Sequence, residues 1–327
     1  MALGAIKDIR KEKETMKAVF CTKYGPPEVL QLKEIEKPFP KDNEVLIKIY
    51  ATTCHIGDVR VRGFDIPFWY RIPFRLQLGL TKPKRPILGM ELAGLIESVG
   101  KDVRRFKIGD RVLACTGFIF GAYAQYMCLA EDSKKISKGI MAHMPSNMNF
   151  EEAAAGITTG GITALAGLRK GQIREGQKVM VYGASGSVGT FAVQLAKHFG
   201  AEVTGVCSAS NLEMVQSLGA DHVIDYTQEE LSKYGNDYDL VYDAVYKLPA
   251  SRGKKLLAPK GNYVKVGTTD RTSIDDLYFL KGLVEEGKLV TIIDKVYPLE
   301  QIIEAHRYVE KGHKKGHVVI TVGHEES

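Results

Sequence analysis

The chain has 327 residues, 44% of them apolar and 26% charged, with a formal net charge of +6. That length exceeds what one hydrophobic core usually serves, so two domains are expected, of ordinary soluble globular composition. Lysines and acids are interleaved along the chain, which argues for a solvated surface and against a nucleic-acid-binding face.

The opening MALGAIKDIRKEKET lacks the apolar core of a secretory signal and reads as an extension over residues 1–15. From Met16, MKAVFCTKYG and EVLQLKEIEKP read as strands parted by the Gly25-Pro26-Pro27 turn, with EVLIKIYATTC as a third. A helix is predicted over Ile56–Arg62. The aromatic, proline-bearing GFDIPFWYRIPFRLQLGLTKPKRP follows and has two readings. It is a packed surface loop, or it is the lip of an apolar substrate pocket in which Phe68, Trp69 and Tyr70 offer flat surface to a planar ligand. Residues 89–100, the turn at 106–112 and residues 121–130 continue a barrel-like β domain.

From Asn149 the pattern turns helical, and after Gly176 strand and helix alternate, which argues for a doubly wound parallel sheet. Strands are predicted at Val179–Tyr182, Val203–Cys207, His222–Tyr226, Leu240–Val245 and Asn262–Gly267. A helix ending in Gly287, then a strand, a helix and a strand, close the chain. No apolar run reaches transmembrane length, so no membrane partner is expected. Five cysteines, at 21, 54, 115, 128 and 207, form no C-x-x-C pair and are odd in number. That pattern points to a reducing compartment, the cytoplasm.

The organising stretch is KVMVYGASGSVGTFAVQLAKHFGAEVTGVC, residues 178–207. A buried strand runs into the turn Ala184-Ser185-Gly186-Ser187-Val188-Gly189 and then a helix, the order of a dinucleotide fingerprint. Gly186 would let the backbone approach a diphosphate, Gly189 would let helix and strand pack closely, and the helix amino end would offer N–H groups to the anion. Folds selective for NAD carry an acid after the second strand, whereas here that end reads Cys207-Ser208-Ala209-Ser210-Asn211. With no acid there to repel a cofactor 2′-phosphate, Ser208 and Ser210 can donate to it, Ser208 and Asn211 are assigned to cofactor binding, and NADPH is expected over NADH.

Taken together, MKAVFCTKYGPPEVLQL, RPILGMELAGLIESVG, FKIGDRV, GAYAQY, VYGASGSVGTFAVQLAKHFGAEV, LGADHVIDY and EEGKLVTIIDKVYPLEQIIEAHRYVEKGHKKGHVVITV resemble the medium-chain dehydrogenase/reductase superfamily. Within it the chain is similar to the zinc-independent quinone-oxidoreductase-like branch that includes zeta-crystallin. The resemblance implies a GroES-like β-rich catalytic domain over 16–150, a Rossmann domain over 151–288 and a return to the catalytic domain over 289–327. Zinc enzymes of the superfamily use a G-H-E histidine, and here that motif reads Gly89-Met90-Glu91, a thioether where zinc wants imidazole. No metal is therefore expected.

The implied reaction is hydride transfer from NADPH to a quinone or an α,β-unsaturated carbonyl, a small-molecule substrate. Two alternatives are a nucleotide-binding structural or nucleic-acid-binding protein with little catalysis, and a zinc alcohol dehydrogenase. His55 stands where relatives carry an asparagine and is the candidate donor of a hydrogen bond or proton, alongside a structural reading for the same ring. Asp58 matches a family position and is expected to pair with a neighbour such as Arg62. By the same resemblance Thr159 contacts the cofactor, Tyr226 packs near the adenosine, and Val266 and Gly267 flank the nicotinamide. After Gly267 only TTDRTSI precedes the next helix, where relatives insert a further helix and strand at the edge used for a homodimer. The short segment means either a trimmed, more open cleft or residues absent from the sequence.

Overall fold

In the computed structural model the described residues are 14–65, 71–267 and 272–324. Phe68, Trp69 and Tyr70 lie outside them. Strands β1 (Thr15–Cys21) and β2 (Leu30–Glu36) pair antiparallel, and β3 (Glu44–Thr53) follows them. Helix α1 (Ile56–Gly63) is one residue longer than expected. Helix α2 (Arg71–Leu78) lies in the segment for which a loop or pocket lip is predicted. Its only proline, Pro73, is in the first turn, where the missing N–H has no intrahelical partner to lose.

Strands β4 (Glu91–Val99), β5 (Arg111–Cys115), β6 (Tyr126–Ala130) and β7 (Ile140–His143) complete the β-rich part. The sheet is buried on both faces: Val45, Ile47, Ile49, Leu92, Ile96 and Val112 pack into one core, while Ala51, Ala93, Leu113 and Ile140 pack into the core shared with the second half of the chain. The helical run after Asn149 is not continuous. Helix α3 (Phe150–Ala154) stops, residues Ile157–Gly161 form a single π turn, and α4 (Ile162–Lys170) resumes. The wide turn carries Thr158 and Thr159 to a buried carboxylate described below.

The second half alternates as expected: β8 (Lys178–Tyr182), α5 (Ser187–His198), β9 (Glu202–Cys207), α6 (Leu212–Ser217), β10 (His222–Asp225), β11 (Tyr238–Asp243), α7 (Ala250–Lys255) and β12 (Leu257–Lys265). These strands form one sheet in the order β10-β9-β8-β11-β12, with every pairing parallel. Val179, Met180, Val181, Val203, Leu240 and Val241 are 0% exposed, the signature of strands covered on both faces. Helix α8 (Ile274–Glu285) packs on this unit. The chain then leaves through β13 (Ile293–Pro298), α9 (Ile302–Glu310) and β14 (His317–Thr321).

The last strand settles the topology. Strand β14 pairs parallel with β13 and antiparallel with β3, so the chain end joins the first sheet, ordered β13-β14-β3-β4-β5-β7 with β6 on β3. Reaching β14 from α9 takes the backbone directly across the Gly186 turn. Both sheets therefore meet at the amino end of α5.

Candidate active site

The glycine turn has the geometry its spacing implies. After β8, Gly183 turns the chain at φ +80, and Gly186 caps α5 in an extended conformation. A Cβ on Gly189 would stand 2.1 Å from Gly183 O, so only glycine lets the first turn of α5 rest on the strand end. A Cβ on Gly186 would meet nothing nearer than 3.5 Å, so that face is open. Ala184, Ser185, Ser187 and Val188 complete a cradle around a helix end whose first N–H groups have no intrahelical acceptor. An open glycine beside such an end fits a diphosphate, and these residues fit a dinucleotide.

The end of the second strand joins the same turn. Asn211 Nδ2 donates to Ser185 Oγ and to Ser208 Oγ, each at 3.1 Å. Tyr226 is 47% exposed and sets its ring 6.3 Å from Tyr182 at the sheet's carboxyl edge. One acid escapes sequence reasoning here. Asp225 pairs with Cys207 across the parallel register, which brings a carboxylate beside the supposedly acid-free strand end. It is occupied: Oδ1 accepts from Thr227 N at 3.0 Å and Thr227 Oγ1 at 2.7 Å. The Thr227 bonds and the Ala209 N–H hold it below the usual carboxylate range. Strand pairing is the signal that would have found it.

The first sheet contributes a buried polar floor. His55 is the N-cap of α1, and its Nδ1 accepts from Gly57 N at 3.0 Å. An Nδ1 that accepts carries no proton, so by this bond geometry the neutral ring bears its proton on Nε2. Burial first, then the Lys314 and Arg60 charges, lower its pKa to about 3. A neutral ring with its proton on Nε2 suits the hydrogen-bond donor expected of His55, and the Nδ1 contact to Gly57 suits the structural reading.

Asp58 closes a capping box with His55, its Oδ2 accepting from His55 N at 3.2 Å and its Oδ1 from Gly89 N at 3.0 Å. Burial outweighs these bonds and pushes its carboxyl up to about 7. The expected Asp58–Arg62 pair is not formed. Arg62 pairs instead with Glu310 of α9, because α1 and α9 pack together and turn that guanidinium away from Asp58.

Glu91 is the group the sequence reading missed. It is 0% exposed and accepts from Thr53 Oγ1 at 2.5 Å, Thr158 Oγ1 at 2.8 Å and Thr159 N at 2.9 Å. Burial raises its pKa, and the three bonds oppose that. Thr159, assigned to the cofactor, thus commits its backbone N–H to Glu91 and sets its hydroxyl 3.7 Å from Cys115 Sγ. Val266 and Gly267 lie at the end of β12, with Val266 N on Asp243 O at 2.8 Å and Gly267 at φ +106.

Zinc does not fit these residues. Met90 fills the place of a ligand, Glu91 spends its oxygens on three donors, and burial raises the Cys54 thiol far above its ordinary value. Among the described residues no three His, Cys, Asp or Glu side chains converge to hold a metal.

Comparison with known proteins now bears on this arrangement. Residues 41–138 match the model of the alcohol dehydrogenase GroES-like domain, and 187–293 and 271–320 match two models of zinc-binding dehydrogenases. The chain is 33% identical to a 2-methylene-furan-3-one reductase of Solanum lycopersicum, over 93% of this chain and 79% of that protein. It is 30% identical to an NADPH-dependent alkenal/one oxidoreductase of Arabidopsis thaliana, over 98% and 82%. The quinone oxidoreductase structure from Coxiella burnetii superposes with a TM-score of 0.79 at 27% identity, covering 95% of this chain and all of that one (100%). A parallel sheet with a dinucleotide turn, a β-rich sheet rejoined by the chain end, and these relatives converge: the chain belongs to the medium-chain dehydrogenase/reductase superfamily, in its quinone-oxidoreductase-like branch, as an oxidoreductase dependent on a nicotinamide cofactor.

Proposed function

We propose that the protein is a zinc-independent, NADPH-dependent reductase of quinones or α,β-unsaturated carbonyls. The observation that carries this is the neutral His55, whose Nδ1 is held by Gly57 N–H so that Nε2–H is its ring donor. A conjugated acceptor spreads incoming charge over several atoms and asks for one or two hydrogen bonds at its oxygen, not for a Lewis acid. The bound cofactor supplies the hydride. His55 Nε2–H stabilises the oxygen on which charge develops, and Asp58 holds the His55 backbone in place. Glu91 ties Thr159 to the floor from the opposite side.

NADPH is supported by the serine-rich strand end, by Asp225 having its Oδ1 filled, and by the name of the Arabidopsis relative. The fit of the residues argues against zinc, so we assign no metal. We also assign residues 16–150 and 289–327 to the catalytic domain and 151–288 to the cofactor domain. Among the described residues no helix is long and apolar enough to cross a membrane.

NADPH and NADH oxidation against a panel of quinones, alkenals and saturated aldehydes tests the reading, with metal analysis of the same sample. Turnover of quinones or alkenals with NADPH preferred and no stoichiometric zinc is expected. Turnover of saturated aldehydes alone, or one zinc per chain, would overturn it.

A further inference from the structure

The backbone between α9 and β14 crosses the phosphate-binding turn in close contact with it. Gly316 N donates to Ser185 O at 2.8 Å, Ser187 Oγ donates to Gly316 O at 2.8 Å, and Gly186 and Gly316 form an isolated parallel bridge. This places Lys314 and His317 over the amino end of α5. Lys314 is partly exposed along its length, but its ammonium is enclosed and donates to Gly316 O at 2.5 Å and to Ser187 Oγ. Both acceptors are neutral. His317 is 3% exposed, and neither of its ring nitrogens has a hydrogen-bond partner. Its ring lies 5.9 Å from that of Phe191 on α5, and a Cβ on Gly160 would stand 3.0 Å both from His317 Nε2 and from Ser187 O. The unpartnered imidazole therefore sits against the first turns of the same helix.

This is an unfavourable arrangement for the protein alone. A helix amino end carries partial positive charge, and an ammonium set against it is repelled. The Lys314 ammonium is also desolvated, which lowers its pKa to about 8, while Cys54, Glu91 and Asp294 pull the other way. His55 and His317 are further basic groups near it. An anion at this point would answer the helix N–H groups, the ammonium and the imidazole at once.

We propose that Lys314 and His317 form the second half of a diphosphate-binding site, closing from the C-terminal return segment onto the half built by Gly186–Gly189, so that the ligand's diphosphate ties the two sheets together. Lys314 exchanges Ser187 Oγ and Gly316 O for diphosphate oxygens, the Ser187 hydroxyl turns its proton from Gly316 O to the same anion, and His317 turns one ring N–H to it. The identity of the ligand as a dinucleotide rests on the proposed function; the anion site does not.

Calorimetry on the whole protein tests this with two probes, NADPH and inorganic diphosphate. Lys314→Gln is expected to weaken both by tenfold or more, Lys314→Arg to stay within about threefold of the wild type, and His317→Gln to weaken both by a smaller factor. Lys315→Gln, the neighbouring cation, should leave both unchanged. Wild-type affinity for diphosphate should fall as pH rises through about 8, and this fall should be missing in Lys314→Gln. Should Lys314→Gln also melt earlier, the wild-type pH profile decides, and a flat profile from pH 7 to 9 overturns the assignment. If wild type and Lys314→Gln bind NADPH equally, the assignment fails and the dinucleotide reading stands. If diphosphate binds through Lys314 but neither NADPH nor NADH binds, the anion site stands and the proposed function falls. If the wild type binds no probe, both fall.

Discussion

Two glycines three residues apart in the phosphate turn should fail in different ways when given a methyl group. In Gly189→Ala the new Cβ would lie 2.1 Å from Gly183 O and 2.8 Å from Ala184 C. Relief to an ordinary contact of about 3.2 Å requires the helix end and strand end to part by roughly 1 Å. Overpacking of that kind costs about 1–3 kcal/mol, against a helix-propensity gain of about 1 kcal/mol for alanine over glycine. The expected net loss lowers Tm by about 2–4 °C per kcal/mol. A helix end displaced by 1 Å also weakens cofactor binding.

Gly186→Ala differs because its Cβ meets nothing within 3.5 Å and φ −82 suits any residue. The poorer N-cap and the lower entropy of the unfolded chain, each worth about 0.5–1 kcal/mol, nearly cancel. Its Tm should match the wild type while its NADPH affinity falls at least tenfold, because the methyl group fills the face where the diphosphate approaches. Thermal melting by circular dichroism and titration calorimetry on the same samples separate the two variants. Wild-type affinity in Gly186→Ala would refute the placement of the diphosphate on that face.

Glu91→Ala strands the buried Thr159 N–H and removes three hydrogen bonds, a loss of about 3–5 kcal/mol, whereas Glu91→Gln can still pair with all three donors' groups and should cost under about 2 kcal/mol; urea unfolding measures both, and equal losses would sink this account. His55→Ala should lower kcat for quinone or alkenal reduction and cost about 1 kcal/mol as a lost cap, while the rate profile from pH 6 to 8 keeps its shape because the ring is neutral throughout. A rate-limiting ionisation in that window that vanishes with His55 would contradict it. His55, His306 and His317 all have depressed pKa values, so the native state resists protonation that the unfolded state accepts below about 6.5. Asp58, raised to about 7, acts in the opposite sense, its contribution being lost as pH rises. Glu91, raised by burial, adds to the opposing sense and His324, lowered by burial, to the first, so with four imidazoles against two carboxyls unfolding free energy should fall by up to about 3 kcal/mol per pH unit between pH 6 and 5. Urea titrations at each pH should show that slope, and a flat profile would refute the burial of these rings as neutral groups.

The amino-acid sequence by itself determined whatever depends on neighbours along the chain. Strand, glycine turn and helix from Lys178 to His198 are contiguous, so apolar runs and glycine spacing dictate both the elements and the gap beside Gly186. Parallel pairing follows from alternation, and the α1 cap from His55 and Asp58 standing at its first turn. Where the local signal was ambiguous it misled: the prolines before residue 74 suggested a loop although Pro73 fits a helix's first turn, and Asp58 was matched to Arg62 by proximity in sequence. Tertiary structure alone decided the polar floor and its electrostatics. Glu91 finds Thr158 only because β4 runs beside the π turn, 67 residues away in sequence. Lys314 reaches Ser187 across 127 residues only because β14 must pair with β3 to complete the first sheet. Protonation behaviour belongs to the same category, since desolvation depends on which surfaces cover a side chain and not on the residues beside it in the chain.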